Sequence, residues 1–175
     1  MRMVSSRGTT ADIPHQSMKR QSKTFPRHPS NRGRSKVAVR KVHGVRFRNH
    51  KSRGPGDCGK FDVIVDYTDS QNIAHRQTLV IGQRSSKRND NDYPHHQSTA
   101  RLREYKRRHS KREDWEITGA NTKGFWARHM LWSEKTPARI LKHLQQILQI
   151  ENLYFPPDVA QQLRRPWKLC TPGSK

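Results

Sequence analysis

Acidic residues are scarce in this chain: 14 Asp and Glu stand against 36 Lys and Arg in 175 residues, a formal net charge of +22. Such a field says little about fold, but it points to an anionic partner: nucleic acid, a phospholipid surface or acidic protein faces. Apolar residues are also short, at 30% against roughly 45–50% in an average globular domain counted with Gly. The whole chain therefore cannot be buried in a core. Cysteine is nearly absent. Cys58 and Cys170 lie far apart with no CxxC partner, which argues against a disulfide framework and a zinc ribbon and suits a reducing compartment, while a single bridge stays open. No apolar run approaches the 18 or so residues of a membrane span, and no signal-peptide core is visible, so the expectation is a soluble or peripheral protein.

The missing acids are missing unevenly. Residues 1–56 hold fifteen Lys and Arg and one acid, Asp12, together with Pro14, Pro26, Pro29 and Pro55. Up to Lys36 there is no apolar periodicity, so residues 1–36 read as an extended basic arm that cannot order itself alone. A mitochondrial transit peptide shares this composition, but Pro14, Pro26 and Pro29 break any long amphipathic helix. At about 3.3 Å per residue, such an arm reaches on the order of 100 Å.

Residues 37–150 carry the patterns of a small α+β domain, with 151–175 left as a C-terminal tail. Lys36–Phe47 alternates Val37 and Val39 with charge and changes phase near Gly44, a bulge signal. Gly59–Tyr67 alternates Phe61, Val63, Val65 and Tyr67 against Asp62, Ile64 and Asp66. His75–Gly82 follows a polar turn at hairpin distance, which predicts a three-stranded antiparallel meander packed against two to three helices. Gln83–His96 is polar and reads as a surface excursion. A helix is predicted from Ser98 or Thr99, with Leu102, Tyr105 and His109 on its inner stripe. A second spans Gly124–Trp132, apolar around much of its circumference. A third opens at Thr136–Pro137 and buries Ile140, Leu141, Leu144, Ile147 and Leu148.

Signals of chemistry are few. The ten histidines show no HExxH spacing, so neither metal nor cofactor is expected. Asp62 and Asp66 share one strand face and could do acid–base work, but in so basic a chain they more simply accept arginines. Neither a GxSxG elbow nor a GK[ST] phosphate loop occurs, so no catalytic residue is expected. Basic residues are another matter. Lys106, Arg107, Arg108, Lys111 and Arg112 form a cluster that could be an ordinary solvated face or a phosphate-contacting helix. With Arg32, Arg34, Arg40, Lys41, Arg46 and Arg48 they are the candidate contacts to an anionic partner. The bulky aromatics Tyr105, Trp115, Phe125, Trp126 and Trp132 read as anchors of a small core rather than as a base-stacking platform, because each can bury some 150–250 Å².

Those aromatics also carry a resemblance. Tyr105-Lys-Arg-Arg-His109, Glu113-Asp-Trp115, Gly124-Phe-Trp126-Ala127 and Leu131-Trp132, preceded by "LVIGQ" at Leu79–Gln83, resemble a small domain of nucleocytoplasmic large DNA viruses, the chlorovirus and mimivirus-like group. The likeness covers about Val37 to Leu148. Where that family reads "LLWNKPT", this chain reads "HMLWSEKTP", keeping Trp132 and Thr136 and losing the Asn. The resemblance implies a virion protein without catalysis: a minor capsid protein beneath the outer shell, binding the major capsid protein and other minor capsid proteins, with the internal membrane as a further contact. The alternative is a basic nucleic-acid binder, either a virion DNA-associated or a mitochondrial ribosomal protein.

Overall fold

The computed structural model describes residues 37–51, 54, 57–84 and 92–165. The basic arm with Arg32 and Arg34, and the end of the C-terminal tail with Trp167, lie outside the described residues. Three strands form one antiparallel sheet in the order β1 (Val39–Asn49), β2 (Gly59–Asp69), β3 (Ala74–Gln83), the expected meander. Cross-strand partners explain the register: Phe47 faces Val63, which faces Leu79, and Phe61 faces Ile81. A one-residue slip would turn this whole apolar set to the other face. Irregularities in β1 fall between Val39 and Lys41 and between Val42 and Gly44, where the phase of the sequence changes. Asp69 closes the β2–β3 turn, its Oδ1 accepting from the Gln71 and Ile73 amides at 2.8 and 2.9 Å.

Helices cover the apolar face. In chain order they are α1 (Tyr93–His96), α2 (Thr99–His109), a 3₁₀ turn (Ile117–Gly119), α3 (Lys123–Trp126) continuing into a π turn (Ala127–Leu131), α4 (Pro137–Leu148) and α5 (Pro157–Arg164). Capping sets the starts. The Ser98 hydroxyl accepts from the Arg101 amide and Thr136 from that of Arg139, with Pro137 in the first turn of α4. Phe125 and Trp126 are fully buried. Trp126 meets Phe47 edge-on at 5.9 Å, and its indole N–H donates to the Ala120 carbonyl at 2.7 Å, so no polar atom is stranded. At about 25 cal/mol per Å², each such ring contributes at most about 4–6 kcal/mol.

The helix predicted over Gly124–Trp132 is a hybrid. Residues His129, Met130 and Leu131 are buried in succession, which an α-helix cannot present to one side but a wider π turn brings closer together. Gly82 receives this packing. It sits at φ +64°, and a Cβ there would come within 2.7 Å of the Leu131 side chain, so both the backbone conformation and the close approach require glycine.

Three expectations are corrected by the packing. First, the polar stretch before α2 is not all surface: Asp92 and Tyr93 are buried, held by an ion pair of 2.6 Å between Asp92 and the buried Lys60. Burial pulls the Lys60 ammonium down, and Asp92 opposes this. Second, the core does not stop at residue 150, because Leu153, Val159 and Leu163 belong to it; the apolar spacing in α5 was too short to reveal a core face. Third, Trp115 is only half-buried and lies outside the central core, as does the buried Tyr105. They anchor a separate aromatic stack. Cys58 is disulfide-bonded, and the only other cysteine, Cys170, lies outside the described residues.

Candidate functional site

The aromatic stack is built on α2. Tyr105 lies parallel to Trp132 at 4.4 Å and nearly parallel to Trp115 at 6.3 Å. His109, one turn on, stacks against Tyr105 at 4.4 Å and hydrogen-bonds through Nδ1 to Glu113 at 2.8 Å. Glu113 also accepts the Trp115 indole N–H at 3.0 Å, so its carboxylate is committed. Burial, then the Glu113 charge, raises the Tyr105 phenol well above its ordinary value. Tyr105, Trp132, Arg101, Glu104 and Arg108 line an open cleft of about 630 Å³ beside the end of β3.

The candidate cations fall into two groups. On the sheet Arg48 meets a carboxylate, as do its neighbours Arg76 and His50, whereas Arg40, Lys41 and Arg46 make no ion pair among the described residues. Arg48 pairs with Asp62 at 2.8 Å, and Arg76 grips Asp66 in a bidentate contact at 2.6 and 3.0 Å. His50, its side chain 4% exposed, lies between Asp62 at 2.6 Å and Asp57 at 2.8 Å. Burial alone would lower the His50 pKa, but these two acids together raise it. The Arg76 hydrogen bond chiefly lowers the Asp66 carboxyl, with a smaller contribution from exposed Arg46. Arg40 donates to the Asn72 side chain, and Lys41 is exposed. Asp62 and Asp66 thus accept arginines, the bland reading of that pair.

On α2 the balance reverses. Residues 101–112 carry seven Lys and Arg against the single acid Glu104. Glu104 takes Arg107 at 2.8 Å and reaches Arg108 at 3.8 Å. Arg103, Lys106, Lys111 and Arg112 are exposed and make no ion pair among the described residues. Even the Arg107 pair is solvent-exposed, so it is worth little and yields to a better anion.

Two residues that the sequence reading passed over join this face. Arg128, on the π turn, is half-buried. Its Nη1 donates to the Trp132 carbonyl at 2.6 Å and its guanidinium carbon lies 5.5 Å from the Trp115 ring centre. His143, on α4, meets buried His129 at 3.0 Å between Nε2 and Nδ1. The His129 Nε2 lies 2.8 Å from the Trp115 carbonyl and must donate there, so its Nδ1 accepts from the His143 Nε2–H and the His129 ring is neutral. Burial first, then the nearby Arg128 and His143, pushes the His129 pKa down to about 4. Burial and the charges of Arg128 and Lys106 lower His143 as well. Arg128 carried one legible signal, being a cation inside the most apolar segment of the chain. His143 carried none, because its position on α4 reads as ordinary polar surface. No family model, curated protein or solved structure matches this chain.

Proposed function

We propose that this chain is a non-catalytic architectural protein that attaches to an anionic partner through α2, and specifically a minor capsid protein of a large double-stranded DNA virus. The observation that carries the first part is the α2 face, where the exposed Arg103, Lys106, Lys111 and Arg112 make no ion pair among the described residues, while Arg48 and Arg76 on the sheet are matched. The virion assignment rests on the aromatic motif. The residues of that motif pack as one small scaffold: Trp126 and Phe125 support the core, and Tyr105, Trp115 and Trp132 brace α2 against it. A scaffold of this kind suits a protein that docks and bridges capsomers, and 36 residues in extended chain are long enough to reach between neighbours.

Fractionation of the source particle tests the reading. The particle is opened gently, treated with nuclease, and its shell and nucleic-acid fractions are analysed by mass spectrometry. The shell fraction is expected to retain this chain. Release with the nucleic acid, by nuclease or by salt alone, supports the second reading, a phosphate-backbone binder, which the basic helix also favours.

A further inference from the structure

We propose that Arg128 and Lys106 form a binding site for a phosphate-type oxyanion where α2 and the π turn meet beside Trp115. The site stands whether the chain belongs to a shell or to a nucleic-acid core.

Arg128 is the reason. A guanidinium has five N–H donors, and here one of them serves the Trp132 carbonyl at 2.6 Å. Among the described residues Arg128 makes no ion pair, although it is half-buried and desolvation lowers its pKa. A cation withdrawn from water without a carboxylate is costly unless something else compensates it. The Trp115 face supplies part of that compensation. The cations nearby work in the opposite direction: Arg128 depresses Lys106, and both depress His143. Glu134 is the one carboxylate that acts on all three, and it lies too far away to pair with any. Glu113 is already bound to His109 and Trp115.

Placement favours a ligand over a purely structural arginine. Closing the π turn needs only Nη1, and a neutral donor would serve equally well there. The planar fork left over matches two oxygens of a phosphate, and Lys106 adds a point charge from the exposed face. The π turn itself is a departure from the α-helix of the kind that recurs at functional sites. It places Arg128 on the α2 side while His129, Met130 and Leu131 stay buried. Nucleic-acid backbones and lipid headgroups both present the group this site would bind.

The test uses the full chain and inorganic phosphate, titrated by calorimetry at constant ionic strength with chloride as the balancing anion. Saturable binding at one site is expected, and Arg128→Gln should weaken it about tenfold, matching the loss of a charge-assisted hydrogen bond. Lys106→Gln, an exposed change that should leave the fold intact, should weaken it severalfold. The double variant Lys111→Gln with Arg112→Gln removes more charge but should change it less than twofold. No saturable binding, or an equal loss in the Lys111/Arg112 variant, overturns the site. With binding established, competition by a short oligothymidylate or by vesicles containing phosphatidic acid tells which source presents the phosphate. Failure of the capsid reading would show in particle fractionation and would leave this titration unchanged.

Discussion

The two sides of this molecule handle positive charge in opposite ways. Across the outward sheet face, Arg48, His50 and Arg76 each have a carboxylate within 2.8 Å. Along α2 and the π turn, Arg103, Lys106, Lys111, Arg112 and Arg128 have none among the described residues. Net charge alone would treat both faces as equally sticky. Pairing separates them in degree: Arg48, His50 and Arg76 are answered by carboxylates while exposed Lys41 and Arg46 are not, whereas among the described residues none of Arg103, Lys106, Lys111, Arg112 and Arg128 is answered.

The contrast can be broken most violently from the matched side. Asp92→Asn removes the counter-charge of buried Lys60 and should cost about 3–5 kcal/mol in urea unfolding. Replacing both residues with apolar side chains of similar size should cost less, because no lone charge is left behind. Equal losses in the two variants would mean that packing, not pairing, sets the effect.

The two faces should also respond to pH in opposite senses. His129 has a native pKa of about 4 against about 6.5 unfolded, so the folded chain binds fewer protons between those values. Its contribution is complete above about pH 6.5 and is lost as pH falls toward 4, on the order of 3 kcal/mol. His143, also lowered, acts in the same direction. His50 is raised, so its contribution is present below about pH 6.5 and fades as pH rises through its folded pKa. Denaturation curves should therefore lose part of their slope between about pH 6.5 and 4 in His129→Gln and part of their slope above about pH 6.5 in His50→Gln. Identical profiles would erase the distinction.

A smaller effect is expected at Gly82. Alanine there meets a positive φ and the Leu131 side chain, and should cost about 1–3 kcal/mol through strain, read as a lowered unfolding midpoint. The smallest effects belong to the unmatched face. Lys111→Gln or Arg112→Gln should change stability by no more than about 0.5 kcal/mol. If the partner is nucleic acid, each should reduce the salt slope of binding by about one.

Much of the fold was legible because period and cap chemistry agree over long stretches. The alternation in Gly59–Tyr67 and the Thr136–Pro137 start of α4 each specify an element without help from the rest of the chain. What escaped was tertiary. Asp92 and Tyr93 are buried because Lys60, more than thirty residues earlier, needs a counter-charge, and nothing near position 92 announces that. Leu153, Val159 and Leu163 escaped because three apolar residues over so short a stretch do not reveal a core face. The π turn is a departure that apolar spacing cannot reveal, since Phe125, His129 and Trp132 suit an ordinary helix equally well. Of the candidate cations, Arg48 is matched by Asp62, while Lys106, Lys111 and Arg112 make no ion pair among the described residues. Sequence shows where charge is, but only folding shows which charge has been answered.

The most direct measurement compares two double variants of equal charge loss, Arg48/Arg76 and Arg103/Arg112, each changed to Gln and confirmed as folded by circular dichroism. The exposed pairs lost from the sheet contribute little to stability, so both should fold. Rebinding to particle shells stripped of this chain is then followed as salt is raised. The α2 variant should rebind weakly and with a shallower salt dependence, while the sheet variant should behave like the wild type. Equal weakening of both, or a larger loss from the sheet variant, would contradict the claim that unmatched charge on α2 holds the partner.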